Sequence, residues 1–167
     1  MLRLRPYKPS DADFLLNWLA DEKTVEFWRA DRFVWPLSRE QLRTYYHDFE
    51  ADSCCAAFTA LEEDGTPVGH FSIRAISWEE NRGHMGFVIV DPTCRGKGYG
   101  RQLVRLACHA ASELLGLTRL RIGVFTCNEP ALRCYQAEGF KASARPGFQS
   151  EFHGEQWNYR YLERELG

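Results

Sequence analysis

The residues most able to do chemistry lie in a glycine-rich segment, 91–101, which reads Asp-Pro-Thr-Cys-Arg-Gly-Lys-Gly-Tyr-Gly-Arg. It follows an apolar run of strand length and precedes an amphipathic pattern that predicts a helix. Glycines allow a tight turn that presents bare backbone N–H groups, and a helix N-terminus adds partial positive charge. Arg95, Lys97 and Arg101 add full positive charges. The segment therefore predicts a binding site for a phosphate-containing ligand.

The order of residues in this segment excludes two common phosphate-binding motifs. A P-loop requires Ser or Thr directly after its lysine, whereas Lys97 is followed by Gly98. The dinucleotide-binding pattern requires a third glycine, and that position holds Leu103. The pattern that remains is Arg-x-x-Gly-x-Gly, which runs from Arg95 to Gly100.

A second block, about thirty residues further along, contains Asn128, Tyr135 and the pair Gly139-Phe140. Asn128 and Tyr135 are seven residues apart, which is close to two helical turns, so both side chains fall on one side of a helix. They can therefore contact one ligand. Capping of the helix by Asn128 and core packing of Tyr135 are the alternatives.

Together the two blocks resemble the signatures of the GCN5-related N-acetyltransferase (GNAT) superfamily. The resemblance is close over residues 55–145, and residues 2–18 loosely resemble the branch that includes ribosomal-protein N-terminal acetyltransferases. It implies an α+β fold with a mixed, mostly antiparallel central sheet of about six or seven strands, flanked by about four helices. It also implies an acyl-CoA-dependent N-acyltransferase that moves an acetyl group directly from acetyl-CoA to a primary amine in a ternary complex.

The resemblance assigns roles to individual residues. The loop would bind the pyrophosphate of coenzyme A, Asn128 the pantetheine arm, and backbone N–H groups of the central strand the oxyanion. Tyr135 would protonate the leaving thiolate. The cofactor-binding residues expected in this way are Val88, Ile89, Val90, Arg95, Gly96, Lys97, Gly98, Tyr99, Gly100, Arg101, Asn128 and Tyr135.

The general base is the point at which the sequence departs from the family. Many members carry Glu on the central strand shortly before the loop, whereas His84 is the residue expected at that position, with Met85 as the alternative. His titrates near neutrality and could accept a proton directly or through water. A histidine within the core is the alternative reading of His84, and Glu79, Glu80 and His153 are further candidates.

The resemblance also implies that the first helices, the loop between them and the last strands recognise the acceptor. The segment of the first helices is rich in aromatic residues here, and Trp28 and Trp35 are the substrate-binding residues expected from it. Glu26 and Asp31 lie among them and would give the pocket an acidic mouth suited to a cationic amine. Core packing explains the same aromatic residues equally well. The acceptor is left open between a peptide N-terminus and a small amine, and a non-catalytic acyl-CoA-binding module is the alternative function.

The elements that position these residues are predicted from periodicity and turn chemistry. Strands are expected at 2–5, 55–61, 68–76, 84–90, 120–125, 140–144 and 152–162. Helices are expected to begin at Ser10, at Ser38 with a Ser38–Gln41 capping box, near 100 and at Asn128. The strand at 84–90 is expected to be buried on both faces and to lie centrally.

Composition limits the remaining classes of function. The 167 residues, 44% of them hydrophobic, fit one domain covering residues 1–167. A net charge of -2 without basic runs argues against nucleic acid as a partner. The N-terminus lacks a signal-like segment and no long apolar run occurs, so a cytoplasmic protein without membrane contact is expected. No metal site is expected from the six Cys and five His, and family analogy leaves a homodimer open.

Overall fold

The structure is a computed structural model that describes residues 1–29 and 31–167. Its helices are α1 (Ala12–Trp18), α2 (Glu22–Trp28), α3 (Arg39–Ala51), α4 (Tyr99–His109) and α5 (Glu129–Ala137). Its strands are β1 (Arg3–Pro6), β2 (Ala56–Leu61), β3 (Pro67–Ser77), β4 (Arg82–Val90), β5 (Arg119–Phe125), β6 (Lys141–Ala142), β7 (Phe148–Phe152) and β8 (Glu155–Glu165). None of the helices in these two stretches is long and apolar enough to span a membrane.

The strands form one sheet in the order β1-β2-β3-β4-β5-β8-β6, with β7 paired to β8. All pairs are antiparallel except β4 with β5, which is parallel. The prediction of a mixed, mostly antiparallel α+β fold is confirmed. The described residues contain eight strands and five α-helices, slightly more than the predicted numbers.

Strands β4 and β5 separate halfway along their length. Their pairing begins at Arg82 with Arg119 and ends at Met85 with Ile122. Beyond Met85 strand β4 remains paired to β3, while β5 remains paired to β8 over its whole length. The sheet therefore opens into a cleft between its two central strands.

A β-bulge on β4 lies at the start of this cleft. Phe87 has a positive φ of 50°, and the register with β3 shifts between His70 and Ser72. Residues two apart on a regular strand face the same side. Here Met85 packs in one core cluster, whereas Phe87 packs in the other. The bulge thus changes which face of the sheet the following side chains occupy, at the point where the strand lines the cleft.

Two hydrophobic clusters cover the two faces of the sheet. The larger one is formed with α4 and α5, and Leu103, Ala107 and Phe140 lie at its centre. The second is formed with α1, α2 and α3, where Tyr45, Trp28 and many other aromatic side chains pack. The described side chains thus account for much of the aromatic content as core packing.

The structure differs from the predicted elements in several places. Of the predicted strand 140–144 only Lys141–Ala142 (β6) forms a strand, and the helix expected from Ser10 begins at Ala12. Helix α2 was not predicted, although Asp21 caps it by accepting a hydrogen bond from the Thr24 backbone N–H at 2.9 Å. The predicted last strand is extended into a hairpin of β7 and β8, which turns near Gly154. The Ser38 hydroxyl caps α3 as expected, but the Gln41 side chain instead binds the Val34 and Pro36 backbone.

Candidate active site

A cavity of about 1240 Å³ occupies the cleft between β4 and β5. Its walls include β4 from Arg82 to Val90, the start of α4, the start of α5 and the C-terminal strand β8. Parallel strands that separate leave backbone groups of β4 without a partner on the β5 side, so a ligand can reach them. The cavity therefore brings the two predicted motifs to one place.

The glycine-rich segment has the backbone geometry of an anion-binding turn. Gly96 and Gly98 have φ of 82° and 76°, in the left-handed region that favours glycine. Gly98 is the N-cap of α4 and supplies no capping side chain. The first N–H groups of this eleven-residue helix therefore lack a side-chain cap and can receive a phosphate. The residues present fit the pyrophosphate of coenzyme A.

Some residues of the segment line the cavity, and others bind neighbouring elements of the protein. Arg95 and Gly100 line the cavity. Arg101 is instead paired with Glu138 of the α5 C-terminus, at 2.6 Å, and the Tyr99 hydroxyl donates to Glu62 at the end of β2. These contacts attach the turn to the neighbouring elements, so the side chains of Tyr99 and Arg101 are engaged within the protein.

Three predicted residues of the central strand, Val88, Ile89 and Val90, line the cavity beyond the bulge. They follow Phe87, where β4 is no longer paired to β5. Backbone N–H groups in this position are suitable donors to a carbonyl oxygen that gains negative charge.

Asn128 and Tyr135 both line the cavity from α5. Asn128 occupies the N-cap position, yet its side chain makes no capping hydrogen bond, so the amide is available to a ligand. Tyr135 is 7% exposed, and burial is the main cause that raises its pKa. Its phenol is therefore protonated at neutral pH and has a proton that it can donate.

His84 also lines the cavity, on β4 before the bulge. Its direct partners across the sheet are Arg74 on β3 and Arg121 on β5. Burial first, and then the charges of Arg74, Arg145 and Arg121, lower the pKa of His84 to about 3. The imidazole is therefore neutral at neutral pH, but its surroundings disfavour the protonated form.

The other base candidates lie away from the cavity lining. Glu80 is paired with Arg82, and Glu79 is exposed on the turn before β4. The His153 imidazole lies 3.0 Å from the Glu22 carboxylate, in the turn between β7 and β8. Among the described residues, His84 is therefore the candidate base that lies in the cleft.

Of the two aromatic residues predicted to bind the acceptor, one lies at the cavity and the other does not. Trp28 is 4% exposed and lines the cavity, where its ring packs 5.1 Å from that of Phe87. Trp35 is 42% exposed and lies away from the cavity lining. The two acidic residues of the predicted mouth, Glu26 and Asp31, are both paired with Arg29, at 2.7 Å and 3.7 Å.

The cavity lining also includes residues that were not among the predicted site residues, notably Arg74 on β3, and Tyr159 and Tyr161 on β8. Trp157, Tyr159 and Tyr161 alternate along β8, and this period of two was the signal by which the tyrosines could have been found. An arginine on a strand resembles a solvated residue in sequence, so no comparable signal marked Arg74.

The cavity thiols are poorly suited to nucleophilic catalysis. Cys127 and Cys134 line the cavity, and burial raises the pKa of each thiol. A reactive cysteine requires the opposite, a lowered pKa that favours the thiolate. Direct transfer without an acyl-cysteine fits these surroundings better.

Proteins of similar sequence carry the names of acetyltransferases. The chain is 26% identical over 140 residues to human alpha/beta-tubulin-N-acetyltransferase 9, covering 77% of this chain and 66% of that protein. It is 34% identical over 80 residues to the Bacillus subtilis (strain 168) protein YwnH, which carries the name of a phosphinothricin acetyltransferase. That match covers 47% of this chain and 48% of YwnH.

Among solved structures, the fold is similar to spermidine N-acetyltransferase from Vibrio cholerae in complex with CoA and spermine, with a TM-score of 0.85. The similarity covers 99% of this chain and 95% of that one, at 19% sequence identity. Residues 13–140 match the family described as the acetyltransferase (GNAT) family. This match spans more than half of the chain and includes both motifs, so the chain belongs to the GNAT acetyltransferase family, whose cosubstrate is acetyl-CoA.

Proposed function

We propose that this protein transfers the acetyl group of acetyl-CoA directly to a primary amine in a ternary complex. The observation that carries the proposal is the single cavity at which the glycine-rich turn, the split in the sheet, Asn128 and Tyr135 meet. Names of relatives that refer to tubulin, spermidine or phosphinothricin describe those proteins, and they agree on acetyl transfer.

In the proposed reaction, the nitrogen lone pair of the neutral amine forms a bond to the thioester carbonyl carbon. The carbonyl electrons move to oxygen, where backbone N–H groups of residues 88–90 stabilise the negative charge. The attacking nitrogen, which now carries a positive charge, loses one proton towards water as the carbonyl re-forms and the C–S bond breaks. The thiolate receives the proton of the Tyr135 hydroxyl. The products are an N-acetyl amine and the free thiol of CoA.

The balance of protons assigns a role to His84. The acceptor arrives as an ammonium and must lose a proton before attack, and the reaction releases one proton overall. The pKa of His84 is about 3, so its imidazolium form would not persist at neutral pH. We therefore propose that His84 passes the proton on to water and does not retain it. Tyr135 regains its proton from solvent before the next cycle.

Exchange of Tyr135 for Phe tests the proposal. We expect Tyr135→Phe to bind acetyl-CoA as well as the wild type and to release thiol about a hundredfold more slowly, because a general acid is removed. Tyr46→Phe is the matched control, since the Tyr46 hydroxyl binds Glu50 on α3, away from the cavity. Unchanged turnover in Tyr135→Phe would reject the role of Tyr135. Binding of acetyl-CoA without transfer to any amine would favour a binding module instead.

A further inference from the structure

Two side chains that line the cavity each carry a buried hydrogen-bond donor without a partner in the protein. Among the described residues, the buried side-chain polar atoms without a partner are Tyr7 Oη, His70 Nδ1, Trp28 Nε1 and Arg74 Nε. Only the last two belong to residues that line the large cavity. The indole N–H and the guanidinium can donate but cannot accept. A ligand group that satisfies them must therefore be an acceptor.

Both donors belong to side chains that pack on the same ring. The Arg74 guanidinium lies 4.6 Å from the centre of the Phe87 ring, and the Trp28 ring lies 5.1 Å from it. Phe87 is the residue of the bulge, next to the strand segment that would bind the thioester carbonyl. The donors thus flank the place where an acceptor amine must attack.

A glycine makes room for Arg74 at this position. A Cβ atom on Gly86 would lie 3.0 Å from Arg74 Nε and 3.2 Å from its Nη2. Such contacts are tighter than ordinary van der Waals distances, so a larger residue would displace the guanidinium. The absence of a side chain at Gly86 on β4 therefore leaves the space that the Arg74 guanidinium occupies.

The charges at this end of the cavity favour an anion. Glu26 and Asp31 are both paired with Arg29, and Glu163 is paired with Arg121 at 2.9 Å. Among the described residues, Arg74 and Arg145 form no ion pair. The Arg145 guanidinium instead lies 4.2 Å from the centre of the Tyr161 ring. Two cationic groups are thus available, and the nearby carboxylates are already engaged.

We propose that the acceptor is a small primary amine that also carries a carboxylate, and that Arg74 with Trp28 binds this carboxylate. The inference rests on the acetyl-transfer function proposed above and narrows its substrate class. A guanidinium and a carboxylate form a strong, directional pair, especially away from bulk water. This end of the cavity is therefore basic and suits an amino acid, whereas the sequence predicted an acidic mouth for a cationic amine.

Binding of the carboxylate would also improve the proton relay. The pKa of His84 is lowered mainly by burial and further by the positive charges of Arg74, Arg121 and Arg145. The ring of Tyr161 also packs against the His84 ring. A carboxylate next to Arg74 compensates part of that positive charge. An acid substrate therefore makes His84 a better proton acceptor, while the corresponding amide does not.

The test compares acids with their amides. Thiol release from acetyl-CoA is measured with alanine, methionine, phenylalanine and β-alanine, each beside its amide, and with spermidine. For the best acid we expect a kcat/KM about ten- to a hundredfold above that of its amide. Arg74→Gln should remove this preference by raising KM for the acid, while Arg74→Lys restores part of it.

Arg160→Gln is the matched control, because it removes the same charge from an exposed position on β8 away from the cavity lining. If the amides or spermidine had a kcat/KM equal to that of the acids, the inference would be overturned, while the proposed acetyl transfer would still hold. Failure of every acid in a protein that binds acetyl-CoA would overturn it as well. Equal loss of turnover with acids and amides in Arg74→Gln would assign Arg74 to the oxyanion instead. A protein that does not bind acetyl-CoA would reject the proposed function itself.

Discussion

His84 and Tyr135 are both held in their neutral forms by the same physical cause. Burial disfavours an imidazolium in one case and a phenolate in the other. The consequence differs, because a neutral phenol still has a proton to give, whereas a neutral imidazole can only receive one. The two residues line one cavity, which at neutral pH therefore holds a phenol with its proton and an imidazole without an added one. Burial makes the phenol a weaker acid and the imidazole a weaker base.

The low pKa of His84 makes stability depend on pH in a defined window. Below about pH 6.5 the unfolded chain binds a proton at this residue, while the folded protein does so only near pH 3. Stability is therefore lost as the pH falls from about 6.5 towards 3, by at most about 1.4 kcal/mol per pH unit. We expect His84→Gln to reduce this slope in urea unfolding measured at several pH values.

His109→Gln serves as the control for this experiment, because His109 is exposed on α4. It should leave the slope unchanged. If His84→Gln and His109→Gln gave the same dependence as the wild type, the imidazole of His84 would not be held neutral by its surroundings.

Individual site residues could be predicted where a motif constrains them. Asn128 and Tyr135 are fixed by their spacing on one helix, and the structure has both in the cavity. Trp28 and Trp35 were indistinguishable in sequence, because both lie in one aromatic segment, and only tertiary packing separates them. Arg74 depends on a neighbour in another strand, Gly86, which no local pattern connects to it.

At the scale of elements, the turn into α4 depends on backbone conformation more than on side chains. A Cβ atom at Gly98 would meet no protein atom within 4 Å, so the cost of a substitution comes from its positive φ. We expect the same methyl group to obstruct a phosphate that binds the N–H groups at the start of the helix. Strain and ligand binding can therefore be separated by comparing this glycine with another of similar φ.

We expect Gly98→Ala to lower stability by about 1 kcal/mol and to weaken acetyl-CoA binding at least about tenfold. Gly154→Ala is the matched control, since Gly154 has a φ of 83°, open surroundings and a place in the β7–β8 turn. It should lose similar stability in thermal unfolding and keep its affinity in calorimetric titration. Equal affinities in the two variants would mean that the turn does not bind the phosphates.

Long periodic elements were predictable, and short or edge elements were not. Strand β4 and helix α4 carry patterns long enough to identify, because burial dictates nearly every position in them. Helix α2 spans seven residues and has too few turns for a clear apolar stripe. The bulge at Phe87 results from strand pairing, so the sequence gives no local sign of it.

At the scale of the whole molecule, the split sheet lies between two separately packed clusters of side chains, one on each face. One cluster supports the phosphate turn through α4 and α5, and the other supports the acceptor end through α1, α2 and α3. The cavity lies between them, so its shape depends on both. A ligand that contacts residues of both clusters should therefore stabilise the folded chain as a unit.

Thermal unfolding with acetyl-CoA, CoA, ATP and NAD, each added separately, tests the central claim most directly. At about 100 times its dissociation constant a ligand adds about 2.7 kcal/mol, which raises the Tm of a chain of this size by about 5–10 °C. The account predicts this rise with acetyl-CoA and CoA and no rise with ATP or NAD. No rise with either CoA compound, at concentrations far above the affinities of such sites, would contradict the assignment of the cleft as an acetyl-CoA site.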